Sequence, residues 1–118
     1  MDGLTIRAFS ACDPAEVRAV CSLIERCLPH ERVTEFEFAR RVLNDPNLAP
    51  ATTLVAVFDD RVIGFVHSIH RSVPVDGSEV LGADKGYVVL LCVDPQFRRK
   101  GVGKKLLDSA EKALAQAG

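Results

Sequence analysis

At 118 residues, 47% of them hydrophobic, the chain has the size of one domain with a small core, which excludes a two-domain architecture. A formal net charge of −1 argues against a nucleic-acid binder that works through its overall field, so any anion site has to be local. The longest apolar run, Tyr87 to Val93, is too short to span a bilayer, and the N-terminal MDGLTIR has no basic region leading into an apolar stretch; a cytoplasmic protein with no membrane partner is expected.

In chain order, Leu4 to Phe9 alternates weakly and reads as a first strand. Asp13-Pro14-Ala15-Glu16 is a helix start, with Asp at the N-cap, Pro at the first helical position and Glu three residues after the cap. Val17, Val20, Cys21, Ile24, Cys27 and Leu28 follow at helical spacing, and Pro29 ends the helix. His30-Glu31-Arg32 is a short polar link. Thr34 to Glu37 is a second capping pattern, opening a helix that carries Phe36, Ala39, Val42 and Leu43 and stops at Asn44-Asp45-Pro46-Asn47.

Thr52 to Phe58 and Arg61 to Ile69 read as strands, joined through Asp59-Asp60 as an antiparallel hairpin. Ser72 to Gly86, with Pro74, three glycines and four charges, reads as a long loop whose Glu79 and Asp84 are solvated. Tyr87 to Val93 is continuously apolar, the pattern of a strand covered on both faces at the centre of a sheet. The last segment places Val102, Leu106, Leu107, Ala110, Ala113 and Leu114 on one stripe of an amphipathic helix, with Lys104, Lys105, Asp108, Glu111 and Lys112 largely elsewhere. The order β-α-α-β-β-β-α makes an α/β fold, a mixed sheet with helices on both faces. Of the four cysteines, Cys21 and Cys27 lie on the apolar helical stripe and Cys92 in the apolar strand. With no C-x-x-C and no Cys/His spacing of a zinc site, they read as reduced core thiols, and no metal is expected.

The segment with chemical content is VDPQFRRKGVGKKLL, residues 93 to 107. The first N–H groups of a helix beginning near Gly101 have no intrahelical partner, and the helix dipole puts positive charge there. Glycine at 101 and 103 lets a ligand approach the backbone, while Arg98, Arg99, Lys100 and Lys104 add full charges around the same point. This is a cradle for a phosphate or pyrophosphate at the carboxyl end of a strand. It is not a Walker A loop, because Gly103-Lys104 is followed by Lys105 and position 98 is Arg. It is not a dinucleotide fingerprint, because the third glycine position is Leu106. What remains is R-x-x-G-x-G: Arg98, Gly101, Gly103.

That motif, with V-x-P before it, an apolar strand leading in and an amphipathic helix leading out, resembles the signature of the GNAT superfamily of N-acetyltransferases. The β-α-α-β-β-β-α order is similar to that family's N-terminal portion. The resemblance implies that backbone groups of Arg98, Arg99, Lys100, Gly101, Val102, Gly103 and Lys104 hold the pyrophosphate of acetyl-CoA. It also implies that Leu91, Cys92 and Val93 line the pantetheine arm through their backbone. The implied reaction is direct attack of an amine on the thioester, with no covalent enzyme intermediate, so Cys92 is not a nucleophile.

Such chemistry needs a neutral amine, although an alkyl ammonium has a pKa of about 10.4, and a donor for the oxyanion. Some members carry a glutamate early in the fourth strand; the matching residue here is Tyr87, which leaves that mechanism without its acid. Tyr87 is retained as a residue that could orient the amine or a water. Glu31, between the two early helices where the family often meets its acceptor, is the second catalytic candidate. His67 and His70 face opposite sides of their strand, and a hydrogen-bonded or surface role is favoured for both over catalysis.

Many members of the family continue past this helix with a fifth strand and a further helix that carries the usual proton donor. Residues 1–118 are therefore expected to be one GNAT domain, incomplete at its C-terminus, with homo-oligomerisation as one way to cover an exposed edge. The implied function is acetyl transfer to a small-molecule or protein amine; the alternative is a CoA-binding module without catalysis. Nucleic acid is not an expected partner, given the net charge and the single tyrosine, six phenylalanines and no tryptophan.

Overall fold

The computed structural model describes residues 3–28, 34–44, 48, 52–70 and 86–117. The link carrying Glu31 and the loop carrying Glu79 and Asp84 lie outside the described residues. After strand β1 (Thr5–Ala8), helix α1 (Pro14–Cys27) starts where its capping residues dictate. The Asp13 carboxylate accepts a hydrogen bond from the Ala15 N–H at 3.0 Å, and Pro14 fills the first turn. Glu16 does not close a reciprocal capping box. Its buried carboxylate accepts from Arg7 at 2.7 Å and from the Ser10 N–H at 3.1 Å, tying the first turn of α1 back to the end of β1.

Thr34 caps the next helix as expected, its hydroxyl accepting from the Glu37 N–H at 3.1 Å. That helix, α2 (Glu35–Phe38), then widens into a π-helical turn over Ala39–Leu43, closed by the Asn44 N–H on the Ala39 carbonyl at 2.8 Å. Val42, on the expected stripe, and Phe38, which is not on it, enter the core.

Strands β2 (Thr53–Phe58) and β3 (Arg61–His70) form the expected hairpin, and Asp59 and Asp60 both adopt the left-handed conformation that a two-residue turn requires. Strand β4 (Gly86–Val93), a 3-10 turn (Pro95–Phe97) and helix α3 (Val102–Ala117) complete the fold. The sheet runs β1-β2-β3-β4, and every pairing is antiparallel. The α/β architecture with helices on both faces is present, but a mixed sheet is not formed among the described strands.

On one face α1 and α2 bury Val20, Leu23, Ile24 and Phe38 against Val55 and Phe65, with Phe9, Phe38 and Phe65 meeting at ring distances of 5.4 to 5.9 Å. On the other, Val102, Leu106 and Ala110 of α3 pack against Leu54, Ala56, Ile63 and Val66. Gly64 sets the depth of that seam. A Cβ there would lie 2.7 Å from the buried Leu106 side chain and 3.1 Å from the Ala56 methyl, so α3 sits against bare backbone.

The sheet's register slips twice. Between Ala56 and Val57 the facing strand has an extra residue, Ile63, and between His67 and Ser68 the extra residue is Val89 of β4. Among the described strands, β4 is not at the centre of the sheet. It is the last strand in the order, and Val88, Val89 and Leu91 are 44%, 50% and 40% exposed. Its continuous apolarity reflects an edge left uncovered among the described residues, not burial between two neighbours.

Candidate functional site

The exit of β4 is pinned by one buried carboxylate. Asp94 accepts from Arg26 of α1 through Nε at 3.2 Å and Nη2 at 3.0 Å, and from the Gln96 N–H at 3.0 Å. Its own N–H donates to the carbonyl of the bulged Ile63 at 2.8 Å. One residue thus fixes α1, β3 and the start of the loop relative to one another. Asp94 followed by Pro95 is also the pattern of an N-cap, here for the 3-10 turn.

The loop that follows has an unusual backbone. Arg99 at φ 65° and Gly101 at φ 82° are left-handed and flank a Lys100 that is not. Such alternation turns successive N–H groups toward one side, the geometry of an anion-binding nest. The first helical bond of α3 runs from the Lys105 N–H to the Gly101 carbonyl at 3.0 Å, so the amides of Val102, Gly103 and Lys104 have no intrahelical acceptor.

The two glycines act differently. A Cβ at Gly101 would meet nothing within 4 Å, so the requirement there is conformational. One at Gly103 would sit 3.4 Å from the Val93 side chain, in van der Waals contact where the helix start meets the strand. Arg98, Arg99, Lys100 and Lys104 are exposed, and among the described residues none of them pairs with a carboxylate. Uncompensated positive charge over unsatisfied amides is an environment built for an anion.

These groups surround a cleft of about 420 Å³ lined by Leu91, Val93, Phe97, Arg98, Arg99, Gly101, Val102, Gly103 and Lys104. The cleft gathers every cofactor candidate read from the sequence except Cys92 and Lys100. Cys92 is buried in the core beneath α1, and Lys100 is exposed beside the cleft. Phe97 was missed: its ring packs edge-on against Phe58 at 5.7 Å and carries the Arg61 guanidinium at 6.0 Å, forming an apolar floor. An aromatic between Pro95 and Arg98 was the available signal.

The open edge of β4 continues this cleft. Because the Asp94 N–H faces β3, ladder alternation turns the backbone groups of Val93 and Leu91 toward the open side. The Val93 carbonyl there accepts from the Cys27 thiol at 3.0 Å and from Arg98 Nε at 3.4 Å. Burial pushes the Cys27 thiol up from its ordinary value against the opposing pull of Arg98, which keeps it a protonated donor.

Tyr87 stands opposite Ile69 in the β3–β4 ladder, two positions before the bulged Val89. Glu31 lies outside the described residues. His67 is fully buried, with Nδ1 2.9 Å from the Thr53 hydroxyl, as the hydrogen-bonded reading expected. Among the described residues no three His, Cys, Asp or Glu side chains group as a metal site, and no helix is long and apolar enough to cross a membrane.

A model of the acetyltransferase (GNAT) family matches residues 17–118. The chain belongs to the GNAT family. No curated protein matches it in sequence, but solved structures share its fold. An aminoglycoside 6'-N-acetyltransferase complexed with coenzyme A superposes at a TM-score of 0.72 with 19% identity, over 95% of this chain and 56% of that one. The ribosomal-protein-S18-alanine N-acetyltransferase of Escherichia coli gives 0.69 and 19%, over 98% of this chain and 61% of its own. A GNAT family acetyltransferase from Brucella melitensis, in complex with acetyl-CoA, gives 0.72 and 20%, over 98% and 70%. The GNAT chain described here thus spans little more than half the length of the first two.

Proposed function

We propose that this GNAT domain, residues 1–118, binds acetyl-CoA and transfers its acetyl group to a primary amine by direct attack. The observation that carries the reading is the coincidence, in one cleft, of a left-handed amide nest, a helix N-terminus, bases without acidic partners and an open strand edge. The residues fit the cosubstrate. Amides of Arg99 to Lys104 would meet the pyrophosphate, with Arg98, Lys100 and Lys104 supplying charge. The edge groups of Leu91 and Val93 suit the amides of a pantetheine arm, and Cys92 supports that edge from the core. The bulge at Val89 breaks the ladder and leaves backbone N–H groups of β4 without their regular partners, a source of oxyanion donors. Tyr87, and Glu31 on the α1–α2 link, are the residues we assign to orienting the amine and assisting its deprotonation.

A second reading, a CoA-binding domain without turnover, draws support from the cleft's composition: among the described residues no carboxylate or histidine lines it. Two measurements separate the possibilities. Thermal unfolding of the purified chain with acetyl-CoA at a hundred times its dissociation constant should show about 2.7 kcal/mol of added stability, lost in Gly101→Glu. Turnover with a panel of small amines and peptide N-termini then decides between enzyme and binder. Binding without any acetylated product would overturn the enzymatic reading. No thermal shift would overturn both.

A further inference from the structure

A smaller cavity, of about 190 Å³, is lined by Arg26, Arg61, Asp94, Pro95 and Gln96. It neighbours the cofactor cleft along the chain: residues 94 to 96 line the small cavity, and Phe97 begins the lining of the cleft. Phe97 also joins them in space, because the Arg61 guanidinium lies 6.0 Å from the centroid of its ring.

The two arginines of this cavity are not equivalent. Arg26 is committed: its Nε and Nη2 both meet one oxygen of the Asp94 carboxylate, whose other oxygen accepts from the Gln96 N–H. Asp94 is almost fully buried, so its charge is spent within that pair. Arg61 is exposed and, among the described residues, pairs with no carboxylate, although Asp59 and Asp60 precede it. Two guanidiniums and one carboxylate leave one positive charge, carried by a fork of donors that a ring holds in place and no acid occupies. That fork suits a phosphate, and its seat on Phe97 reduces the rotamer freedom lost when one binds.

CoA carries three phosphates. The amide nest accounts for the two of the pyrophosphate. The third, on the 3' oxygen of the adjoining ribose, is a monoester with a second pKa of about 6 and is largely a dianion at neutral pH. It needs positive charge of its own beside the nest. We propose that the small cavity is the subsite for this 3'-phosphate and that Arg61 binds it, so that the domain selects CoA over dephospho-CoA. This rests on the CoA-binding reading above.

The test is calorimetric titration of the purified chain with CoA and with dephospho-CoA, which lacks only the 3'-phosphate. The parent should bind CoA about tenfold more tightly, the scale of charge-assisted hydrogen bonds to one group. Arg61→Gln should cut that preference to about twofold or less, with dephospho-CoA affinity unchanged. Gln96→Glu places a negative charge on an exposed wall of the cavity and leaves the backbone N–H to Asp94 intact; it should weaken CoA selectively by the same comparison. It carries the test if Arg61→Gln fails to fold. Equal affinity for the two ligands in the parent overturns the subsite, as does an equal loss for both in either variant, which is the mark of a merely structural role. Binding of neither ligand sinks the cofactor reading and this subsite together, whereas binding of both without preference sinks the subsite alone.

Discussion

Strands β3 and β4 lie side by side, and their sequences promise the reverse of what each does. Residues 63 to 69 of strand β3 include a glycine, a serine and a histidine, yet all seven are buried. Strand β4 is apolar from Tyr87 to Val93, yet Val88, Val89 and Leu91 are exposed by 40% or more. The polar residues of β3 are tolerated because partners meet them: Thr53 reaches His67, the Ser68 hydroxyl donates to the Thr52 carbonyl, and Gly64 admits α3. The apolar residues of β4 stay open because the edge beside them has no strand among those described. Burial follows from which neighbours a strand has, not from its own hydrophobicity. In this molecule the open strand is also the one that leads into the anion cradle.

The largest test of that contrast is on β3. Phe65→Ala removes the ring shared by Phe9 and Phe38 and should cost about 3–5 kcal/mol in urea unfolding, a large fraction of a small domain's stability. Gly64→Val drives a side chain into the Leu106 and Ala56 contacts; a loss of about 1–3 kcal/mol is expected by the same measurement. Because Gly64 seats α3 and lies against Val93 and Val102 of the cleft wall, this variant should also weaken CoA binding.

Loop substitutions should separate conformation from space. Gly101→Ala meets no atoms but must hold a left-handed φ, at about 1–2 kcal/mol, and Arg99→Gly should recover a similar amount for the opposite reason. Arg99→Gly should therefore stabilise the chain while weakening CoA. The smallest effect is on β4: Val89→Thr at an exposed bulge should stay within about 0.5 kcal/mol of the parent. A large loss there would mean that a partner covers the edge in solution.

Much of this was legible in advance because it depends on local chemistry. Asp13-Pro14 and Thr34 mark helix starts, Asp59-Asp60 a two-residue turn, and the stripe from Val102 to Leu114 one face of a helix. Arg98, Gly101 and Gly103 marked the cradle, because amides and charges adjacent in sequence need only a helix start to converge. The rest depends on distant partners. The π-turn over Ala39–Leu43 and the burial of Phe38 are not signalled by the periodicity of that segment. The bulges at Ile63 and Val89 exist only in the register between two strands. Asp94 gains its role from Arg26 and Ile63, and Phe97 from Phe58 and Arg61. The place of β4 at the edge was misread because a continuous apolar run reports the wish for cover, not its source.

The most direct test of the central claim is residue-resolved amide NMR of the chain titrated with CoA. Binding in the cradle predicts that the amides of Arg99 to Lys104 and the edge amides of Leu91 and Val93 shift together at one dissociation constant, while those of β1 and the β2–β3 turn stay in place. Saturable shifts elsewhere in the molecule, with the 99–104 amides unmoved, would contradict it.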